Sequence, residues 1–368
     1  MRIGIDARLV HYSRAGIGQY IAGLVRGLSV CDEDHEFVLL QSRKDRAVLA
    51  DTPNFVRKSL WTPSHHRLEQ LVLPIEISPL RLDVLHSPDF IPPFRRDYKS
   101  VITVHDLAFL LYPHFLTEES ARYYGQIDQA VRHADHIIAD SLNTRRDIIR
   151  FLGVPEAKIS VIYAAADSIY RPIEDQQLLI DAQLKYGLDK PFILFVSTIE
   201  PRKNLPTLLR AFRQLLDHYK IDVKLAVAGQ RGWVCGEVFA VAEELNLDNS
   251  VAFLGHVPVE DLVLLYNGAR MHVHPSLYEG FGLPPLEAMA CGTPTIVANV
   301  SSLPEVVADA GLLVAPEHME GWTVAMWRLL TDDTLHGELS EKGLKRAKVF
   351  SWEKAARDTL DLYKRLAG

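Results

Sequence analysis

The sequence predicts the α/β fold class, with mostly parallel sheets. Short runs rich in Val, Ile, Leu and Phe alternate with amphipathic stretches along almost the whole chain, a pattern typical of parallel strands joined by crossover helices. The alternation stops at a polar segment, residues 164–172, and then begins again. At roughly 150 residues per domain, a chain of 368 residues suits about two domains.

The apolar runs and the amphipathic stretches place the individual elements. In the first half, the predicted strands cover residues 3–6, 37–41, 84–86, 101–105, 137–139 and 159–163. The predicted helices between them cover residues 18–28, 118–133 and 144–151. In the second half, the predicted strands cover residues 192–196, 223–228, 251–254, 271–274, 295–297 and 312–314.

The domain boundary is predicted within the polar segment, which a proline closes at Pro172. The N-terminal domain then covers residues 1–170 and the C-terminal domain covers residues 171–350. Ser351 is a good N-cap for a last helix at residues 353–366. We expect residues 351–368 to pack back on the N-terminal domain.

The composition excludes several classes of protein. There are 40 Lys and Arg against 47 Asp and Glu, a net charge of −7, and 48% of the residues are hydrophobic. An intrinsically disordered chain has few apolar residues, and a dedicated nucleic-acid binder has a strongly basic face, so neither class fits. The three cysteines are far apart in the sequence, which fits a reducing, cytoplasmic setting.

The hydropathy of the sequence predicts a soluble protein that is at most peripheral to a membrane. The N-terminus becomes polar before a signal-peptide core could form, and no run approaches the roughly 18 apolar residues of a membrane span. Residues 61–67 and 94–99 combine aromatic and basic side chains. These two segments would suit contact with anionic lipid, or they form ordinary loop surfaces.

A glycine-bearing turn, residues 13–20, follows the first predicted strand. Gly16 and Gly18 in this turn would let the backbone approach a phosphate at the positive end of a helix dipole. A dinucleotide-binding fingerprint would need a third glycine where Ile21 stands, and an acidic residue after the second strand. The turn is therefore either a phosphate site of another kind or a turn that needs glycine only for its backbone.

Two polar segments follow apolar strands and are expected at the ligand-binding edge of each sheet. His105 ends a strand of the first half, and the alternative is a buried histidine without a functional role. Arg202 and Lys203, in the segment EPRKN, follow the first strand of the second half. Arg and Lys together can neutralise a diphosphate, whereas the alternative is a solvated basic surface.

The strongest candidate is the segment of residues 274–288. A strand ends at its start, and a glycine-rich loop leads to a helix with prolines in its first turn. The amides near Gly282 and Leu283 are expected to form an anion site. Glu279 and Glu287 are expected to stay ionised and to accept hydrogen bonds from sugar hydroxyls. An ordinary helix start would not require so many glycines and carboxylates.

We predict no metal site. Residues 32–34 match a DxD metal-binding pattern, but their charged surroundings favour a solvated turn. His65 and His66 have no Cys or carboxylate nearby at the spacing of metal ligands.

Together these segments resemble the retaining glycosyltransferases of family 4. The resemblance covers essentially the whole chain: the glycine turn, His105, the EPRKN segment, the spacing from Glu279 to Glu287 and the terminal FSWEKAA segment. It implies the GT-B architecture, in which two Rossmann-like domains with parallel sheets face each other across a cleft.

The resemblance also implies roles for individual residues. Gly16 would approach the donor diphosphate or the transferring sugar, and His105 would contact the donor sugar. Glu279 would orient that sugar, and Glu287 would bind the ribose hydroxyls of the nucleotide. Lys203 would stabilise the leaving diphosphate.

Further donor contacts are implied for the loop that holds Phe281, Gly282 and Leu283, whose amides would help Lys203. The family often has an arginine five residues before this lysine, and here Thr198 occupies that place. Arg202 is the candidate for the second cation, as in the subgroup that carries EPRKN. Many members of that subgroup resemble mannosyltransferases of surface polysaccharide synthesis.

The implied reaction is sugar transfer from a nucleotide-diphosphate donor to a saccharide or lipid-linked saccharide acceptor. We expect GDP-mannose as the donor, with UDP-sugars as the next choice, and no cofactor or metal. Fixed cations and a helix N-terminus would take up the charge that develops on the diphosphate. The alternatives are a sugar-nucleotide epimerase of the same architecture and a non-catalytic sugar-nucleotide-binding protein. A lipid-linked acceptor would place the protein at the inner face of the membrane.

Overall fold

A computed structural model describes residues 1–12, 16–113, 118–232 and 234–368, without the side chains of residues 118–120. The chain forms two compact units. Unit 1 consists of Met1–Ala165 and Phe350–Gly368, and unit 2 consists of Ala166–Val349. The chain thus leaves unit 1 within the polar segment and returns to it for the last helix.

The described secondary-structure elements alternate as parallel α/β folds require. The strands are β1 (Arg2–Asp6), β2 (Glu36–Ser42), β3 (Phe55–Leu60), β4 (Val84–Ser87), β5 (Lys99–Val104), β6 (His136–Ala139), β7 (Ile159–Val161), β8 (Phe192–Val196), β9 (Lys224–Ala228), β10 (Val251–Gly255), β11 (Met271–His274), β12 (Thr295–Ala298) and β13 (Gly311–Val314). The helices are α1 (Gly16–Cys31), α2 (Glu69–Ile77), α3 (Ala108–Leu111), α4 (Glu118–Tyr124), α5 (Ile127–His133), α6 (Leu142–Leu152), α7 (Gln176–Lys185), α8 (Leu205–Tyr219), α9 (Gly236–Glu244), α10 (Val259–Gly268), α11 (Leu283–Ala290), α12 (Leu303–Val307), α13 (Met319–Thr331), α14 (Asp333–Ala347) and α15 (Trp352–Ala367).

Each unit contains one parallel sheet. The sheet of unit 1 has the order β3-β2-β1-β4-β5-β6-β7, and that of unit 2 has the order β10-β9-β8-β11-β12-β13. In both sheets the order reverses beside the first strand, between β1 and β4 and between β8 and β11. Open parallel sheets bind ligands at this switch point, outside the carboxyl ends of the strands.

The α/β prediction is confirmed, and most predicted strands lie within two residues of the observed ones. The central strands are buried on both faces, which is why they appear in the sequence as continuous apolar runs. The helix predicted at residues 118–133 is divided into α4 and α5, and the short helix α3 was not predicted. Two longer elements of the first half were also missed. The edge strand β3 is largely exposed and polar, and α2 has apolar residues around its circumference and an internal Pro74.

The last helix packs against α1 within unit 1. Ser351 caps it as predicted, because its hydroxyl accepts a hydrogen bond from the Lys354 amide at 3.1 Å. The contact needs glycine on α1: a Cβ at Gly23 would lie 2.1 Å from the Trp352 ring, and one at Gly27 would lie 2.4 Å from the Trp352 carbonyl. Any side chain at these two positions would push the helices apart.

Candidate active site

The switch point of unit 2 brings together two of the predicted segments. Arg202 and Lys203 belong to a short 3-10 helix that follows β8, and Glu279 lies in the loop that follows β11. The two strands are neighbours in the sheet, so residues far apart in the sequence meet at its carboxyl edge. This juxtaposition is what the fold contributes to the site.

Glu279 is bound by both cations. Lys203 Nζ lies 2.7 Å from Glu279 Oε1, and Arg202 Nη1 lies 3.2 Å from Glu279 Oε2. Arg202 also donates to Glu200 Oε1 at 2.8 Å and to the Tyr278 carbonyl at 2.8 Å. The cluster therefore contains two cations and two carboxylates, which balance in charge.

The charge balance keeps Glu279 ionised. Burial alone would raise the pKa of its carboxyl, but the charges of Lys203 and Arg202 hold the pKa well below its ordinary range. The prediction of an ionised carboxylate at this position is confirmed.

Sequence reasoning missed a third partner of this carboxylate, His274. Its Nε2 lies 2.8 Å from Glu279 Oε1 and 3.1 Å from the Ser276 hydroxyl. Burial lowers the pKa of His274, so a neutral ring donates its Nε2 hydrogen to the carboxylate. A histidine that ends an apolar strand immediately before the glycine loop was the signal in the sequence.

The helix α11 begins as the sequence predicted. Gly282 precedes it with φ 108°, a left-handed conformation that favours glycine, and Leu283 is its first residue. Pro284 and Pro285 carry no N–H, so Gly282 and Leu283 provide the amide donors of this first turn. The neighbouring Phe281 is buried, and its carbonyl accepts from the Ser302 hydroxyl at 2.8 Å.

The second glutamate of the predicted pair differs from the first in its surroundings. Glu287 is buried on α11, where Tyr266 donates its hydroxyl to Glu287 Oε2 at 3.0 Å. Among the described residues, no cation offsets its burial as Lys203 does for Glu279, and burial raises the pKa of Glu287 to about 7. Near neutral pH, Glu287 is therefore only partly ionised, whereas the prediction had both carboxylates fully ionised. Sequence spacing does not reveal how deeply a carboxyl is buried.

Thr198 lies just beyond β8, beside the loop that follows β9. The Ile199 amide donates to the Gln230 carbonyl at 2.9 Å. A Cβ at Gly232 would come within 2.9 Å of the Thr198 methyl group. Thr198 is thus packed against backbone. Arg202, the candidate for the cation that Thr198 cannot supply, is held by two carboxylates and a carbonyl.

In unit 1, His105 follows β5 and is largely buried. Its Nδ1 lies 3.0 Å from Asp140 Oδ2, and its Nε2 lies 2.8 Å from the Pro88 carbonyl. Although burial disfavours the charged ring, the hydrogen bond and the charge of Asp140 raise the pKa of His105. The Pro88 carbonyl can only accept, so Nε2 carries a hydrogen, and the contacts at both nitrogens orient the ring.

Gly16 begins α1 in the same unit. Tyr20, one helical turn later, packs edge-on against the His105 ring with ring centres 4.7 Å apart. Apart from its chain neighbours, none of the described residues has an atom within 4 Å of a Cβ placed at Gly16. The first part of the predicted glycine turn, residues 13–15, lies outside the described residues.

A second charged cluster occupies the switch point of unit 1 and was not predicted. Arg8 is buried and donates to Asp6 Oδ2 at 2.6 Å and to Glu69. Nearby, His65 is hydrogen-bonded to Asp89. These residues come from three segments that are far apart in the sequence, so no local motif indicated the cluster.

Within the described residues, no group of three or more His, Cys, Asp or Glu side chains could hold a metal ion. In the DxD segment, Asp32 is buried and paired with His35 at 2.8 Å, so this residue does not lie in a solvated turn as expected. No helix in the part of the chain that the structure describes is long and apolar enough to cross a membrane.

Two family models match almost the whole chain. Residues 14–168 match "Glycosyltransferase Family 4", and residues 177–346 match "Glycosyl transferases group 1". The first match falls almost wholly in unit 1 and the second falls wholly in unit 2.

Individual proteins give the same result. The chain is 32% identical to the O-antigen chain mannosyltransferase B of Escherichia coli over 388 aligned positions, which cover 100% of both chains. Its fold is similar to sucrose-phosphate synthase from Thermosynechococcus elongatus, with a TM-score of 0.81 and 22% identity over 100% of this chain and 99% of that chain. It is also similar to Anabaena Alr3699/HepE, solved with UDP-glucose, with a TM-score of 0.76 and 18% identity over 99% of this chain and 100% of that chain.

Proposed function

The chain belongs to the GT-B glycosyltransferases of family 4 and group 1, and from this premise we propose that it transfers mannose from GDP-mannose, with retention of the anomeric configuration. The acceptor is a saccharide or a lipid-linked saccharide. The observation that carries the proposal is the cluster of Lys203, Arg202 and Glu279 at the switch point of unit 2. The name of the E. coli relative supports mannose.

The cations of this cluster are proposed to stabilise the leaving diphosphate. Cleavage of the sugar–phosphate bond leaves negative charge on the diphosphate, and fixed donors lower the barrier most where that charge develops. Lys203 Nζ can exchange part of its contact with Glu279 for a phosphate oxygen, while His274 continues to hold the carboxylate. The amides of Gly282 and Leu283 supply further donors at the start of α11.

Glu279 is proposed to orient the donor sugar, since an ionised carboxylate accepts hydrogen bonds from hydroxyls. Its low pKa and its three donors make it a weak nucleophile. Retention therefore favours departure and attack on the same face, with a leaving phosphate oxygen taking the proton of the acceptor hydroxyl. We propose that Lys203, Arg202 and the amides of Gly282 and Leu283 together take up the charge that develops on the diphosphate, and that the reaction needs no metal.

Glu287 is proposed to bind the ribose hydroxyls of the nucleotide. A buried carboxyl with a pKa of about 7 accepts such hydrogen bonds most strongly once it has lost its proton. Phe281 and Thr198 are proposed as further donor contacts. Arg202 is proposed as the second cation, which must share its guanidinium with Glu200 and Glu279.

In unit 1, His105 is proposed to contact the donor sugar. Its Nε2–H can pass from the Pro88 carbonyl to a sugar hydroxyl, while the contact with Asp140 keeps the ring oriented. Gly16 is proposed to leave room for the donor, because its Cβ position is open. With a lipid-linked acceptor, the enzyme works as a peripheral protein at the inner face of the membrane.

The test is a donor and product assay. Purified protein is incubated with GDP-mannose, GDP-glucose, UDP-glucose or UDP-galactose, with and without a mannose-containing acceptor, and with EDTA throughout. We expect release of GDP that depends on the acceptor, and an α-linked product by NMR, matching the α-linked donor. If only UDP-sugars were turned over, GDP-mannose would be the wrong donor. A β-linked product would contradict retention of the anomeric configuration. Loss of activity in EDTA would contradict metal independence.

A further inference from the structure

The helix α2 of unit 1 has apolar side chains on two faces. Leu73 and Ile77 point into the core of the unit. On the opposite side, one apolar face is exposed to solvent at the helical spacing of three, four and seven residues. We call it the α2 face, and it consists of Leu68, Leu71, Val72 and Ile75.

The exposure of the α2 face is large for a folded protein. Leu71 is 62% exposed and Ile75 is 75% exposed. A helix that is apolar on all sides is ordinarily buried. Contiguous exposed apolar surface generally marks a site of contact with another molecule or with a membrane.

Trp61 extends the α2 face. It is 71% exposed, and its backbone amide donates to Glu76 Oε1 of α2 at 2.6 Å, which fixes the tryptophan beside the helix. The Arg43 guanidinium lies over its ring at 3.8 Å. Trp and Arg in this arrangement suit a membrane interface, where an aromatic ring sits among headgroups and a cation binds phosphate.

The segment of the chain that contains the α2 face is positively charged, although the whole chain is acidic. Residues 43–81 contain seven Lys and Arg against four Asp and Glu, a net charge of +3, whereas the chain carries −7. Two of those acids, Asp45 and Glu69, are buried. Arg67, directly before the α2 face, is exposed.

We propose that the α2 face, with Trp61, Arg43 and Arg67, docks the protein on the surface of an anionic lipid bilayer. The apolar side chains enter the headgroup boundary and the cations bind lipid phosphates. A symmetric contact with a second copy would place these cations opposite one another, which the charge disfavours. This proposal rests on the proposed function in one respect: docking would bring the enzyme to a lipid-linked acceptor.

The structure argues against residues 94–99 as a second lipid-contact segment. Arg96 pairs with Asp135 at 2.8 Å, and Lys99 lies 3.8 Å from the same carboxylate, so one acid offsets part of the charge of these two cations. Gln70 of α2 holds this loop through the Phe94 amide at 3.1 Å. The loop therefore supports α2, and the lipid contact is assigned to the α2 face.

The test is flotation of the full chain with vesicles, without donor or acceptor, so that its result is independent of the transferase assay. One set of vesicles is phosphatidylcholine and the other also contains phosphatidylglycerol. We expect binding to the anionic vesicles alone, weakened by salt. The double variant Leu71→Glu, Ile75→Glu should lower binding at least about tenfold, and Arg43→Ala and Arg67→Ala roughly fivefold each.

Leu184→Glu is the matched control, because Leu184 is a 60% exposed leucine on α7 of unit 2. It should bind vesicles as the unchanged protein does, and circular dichroism should show that all variants are folded. Failure of the unchanged protein to bind anionic vesicles at low salt would overturn the proposal. So would equal binding by the double variant, or a dimer in ultracentrifugation that the double variant abolishes without any vesicle binding.

Discussion

The two sheets have the same strand order around their switch points, but the switch points hold different charged clusters. In unit 2, Lys203 is paired with Glu279 in a cluster that balances in charge. In unit 1, Arg8 is enclosed by Asp6 and Glu69, so one cation faces two carboxylates. The same topology therefore places charged groups at the carboxyl edge of both sheets, but the ratio of cations to carboxylates differs.

The difference lies in how firmly each cation is held. Arg8 is 1% exposed and makes its bonds to two carboxylates and to the Thr62 carbonyl at 3.1 Å. Lys203 is 9% exposed and ends in a single amine that can rotate toward a new partner. We infer that the cluster of unit 1 mainly stabilises the fold and that the cluster of unit 2 performs chemistry.

The largest expected effect is on turnover. Lys203→Ala removes a donor to the leaving diphosphate and should lower kcat by about 10²–10³-fold. The control is Lys190→Ala, which removes an exposed lysine that is also 2.7 Å from a carboxylate, Asp222, and should leave kcat unchanged. If Lys203→Ala turned over at the unchanged rate, the hypothesis that this cluster takes part in the chemistry would be wrong.

Arg8→Ala should affect stability more than chemistry. It leaves Asp6 and Glu69 without their cation in a buried site, so the free energy of unfolding should fall by about 3–5 kcal/mol. Arg213→Ala, which breaks an exposed pair with Asp217, should cost about 0.5 kcal/mol or less. Denaturant titration measures both, and an equal, small loss in the two variants would contradict a structural role for Arg8.

Glu287 should give the protein a pH-dependent stability. Its pKa rises from 4.5 to about 7 on folding, so the folded state keeps a proton that the unfolded state loses between these values. Stability should fall as the pH rises through this window, by about 3 kcal/mol in total. Glu287→Gln should remove that part of the slope, as measured by denaturant titrations across the window. Identical slopes in both proteins would show that Glu287 has an ordinary pKa.

The smallest expected effects separate two glycines of α1. Gly23→Ala places a methyl group against Trp352 of α15 and should lower the free energy of unfolding by about 1–3 kcal/mol. In Gly16→Ala, the added methyl group contacts none of the described residues beyond its chain neighbours, so this variant should preserve stability while lowering turnover with the donor. Thermal unfolding and the donor assay compare the two. A loss of stability in Gly16→Ala, with turnover retained, would assign this glycine to the fold.

The candidate site could be predicted where its residues are neighbours in the sequence. Arg202 and Lys203 stand side by side after an apolar strand, and Gly282 precedes a helix with prolines in its first turn. Such patterns follow from local backbone chemistry. His274 and Asp140 were missed as partners because their importance depends on which distant side chain they contact.

The fold shows the same division. The buried strand β8 was predicted to the residue, because a strand covered on both faces is mostly apolar. The edge strand β3 and the helix α2 have no such constraint. Their sequences fit several structures, and only packing against the rest of unit 1 selects one.

The sequence by itself determined the α/β class, the positions of the central strands and the family of the chain. These depend on local periodicity and on short motifs, which the order of residues records directly. The tertiary structure decided that Glu279 is ionised while Glu287 has a raised pKa, and that α2 exposes an apolar face. Burial and charge at a point depend on every segment that meets there, and a linear pattern does not record which segments meet.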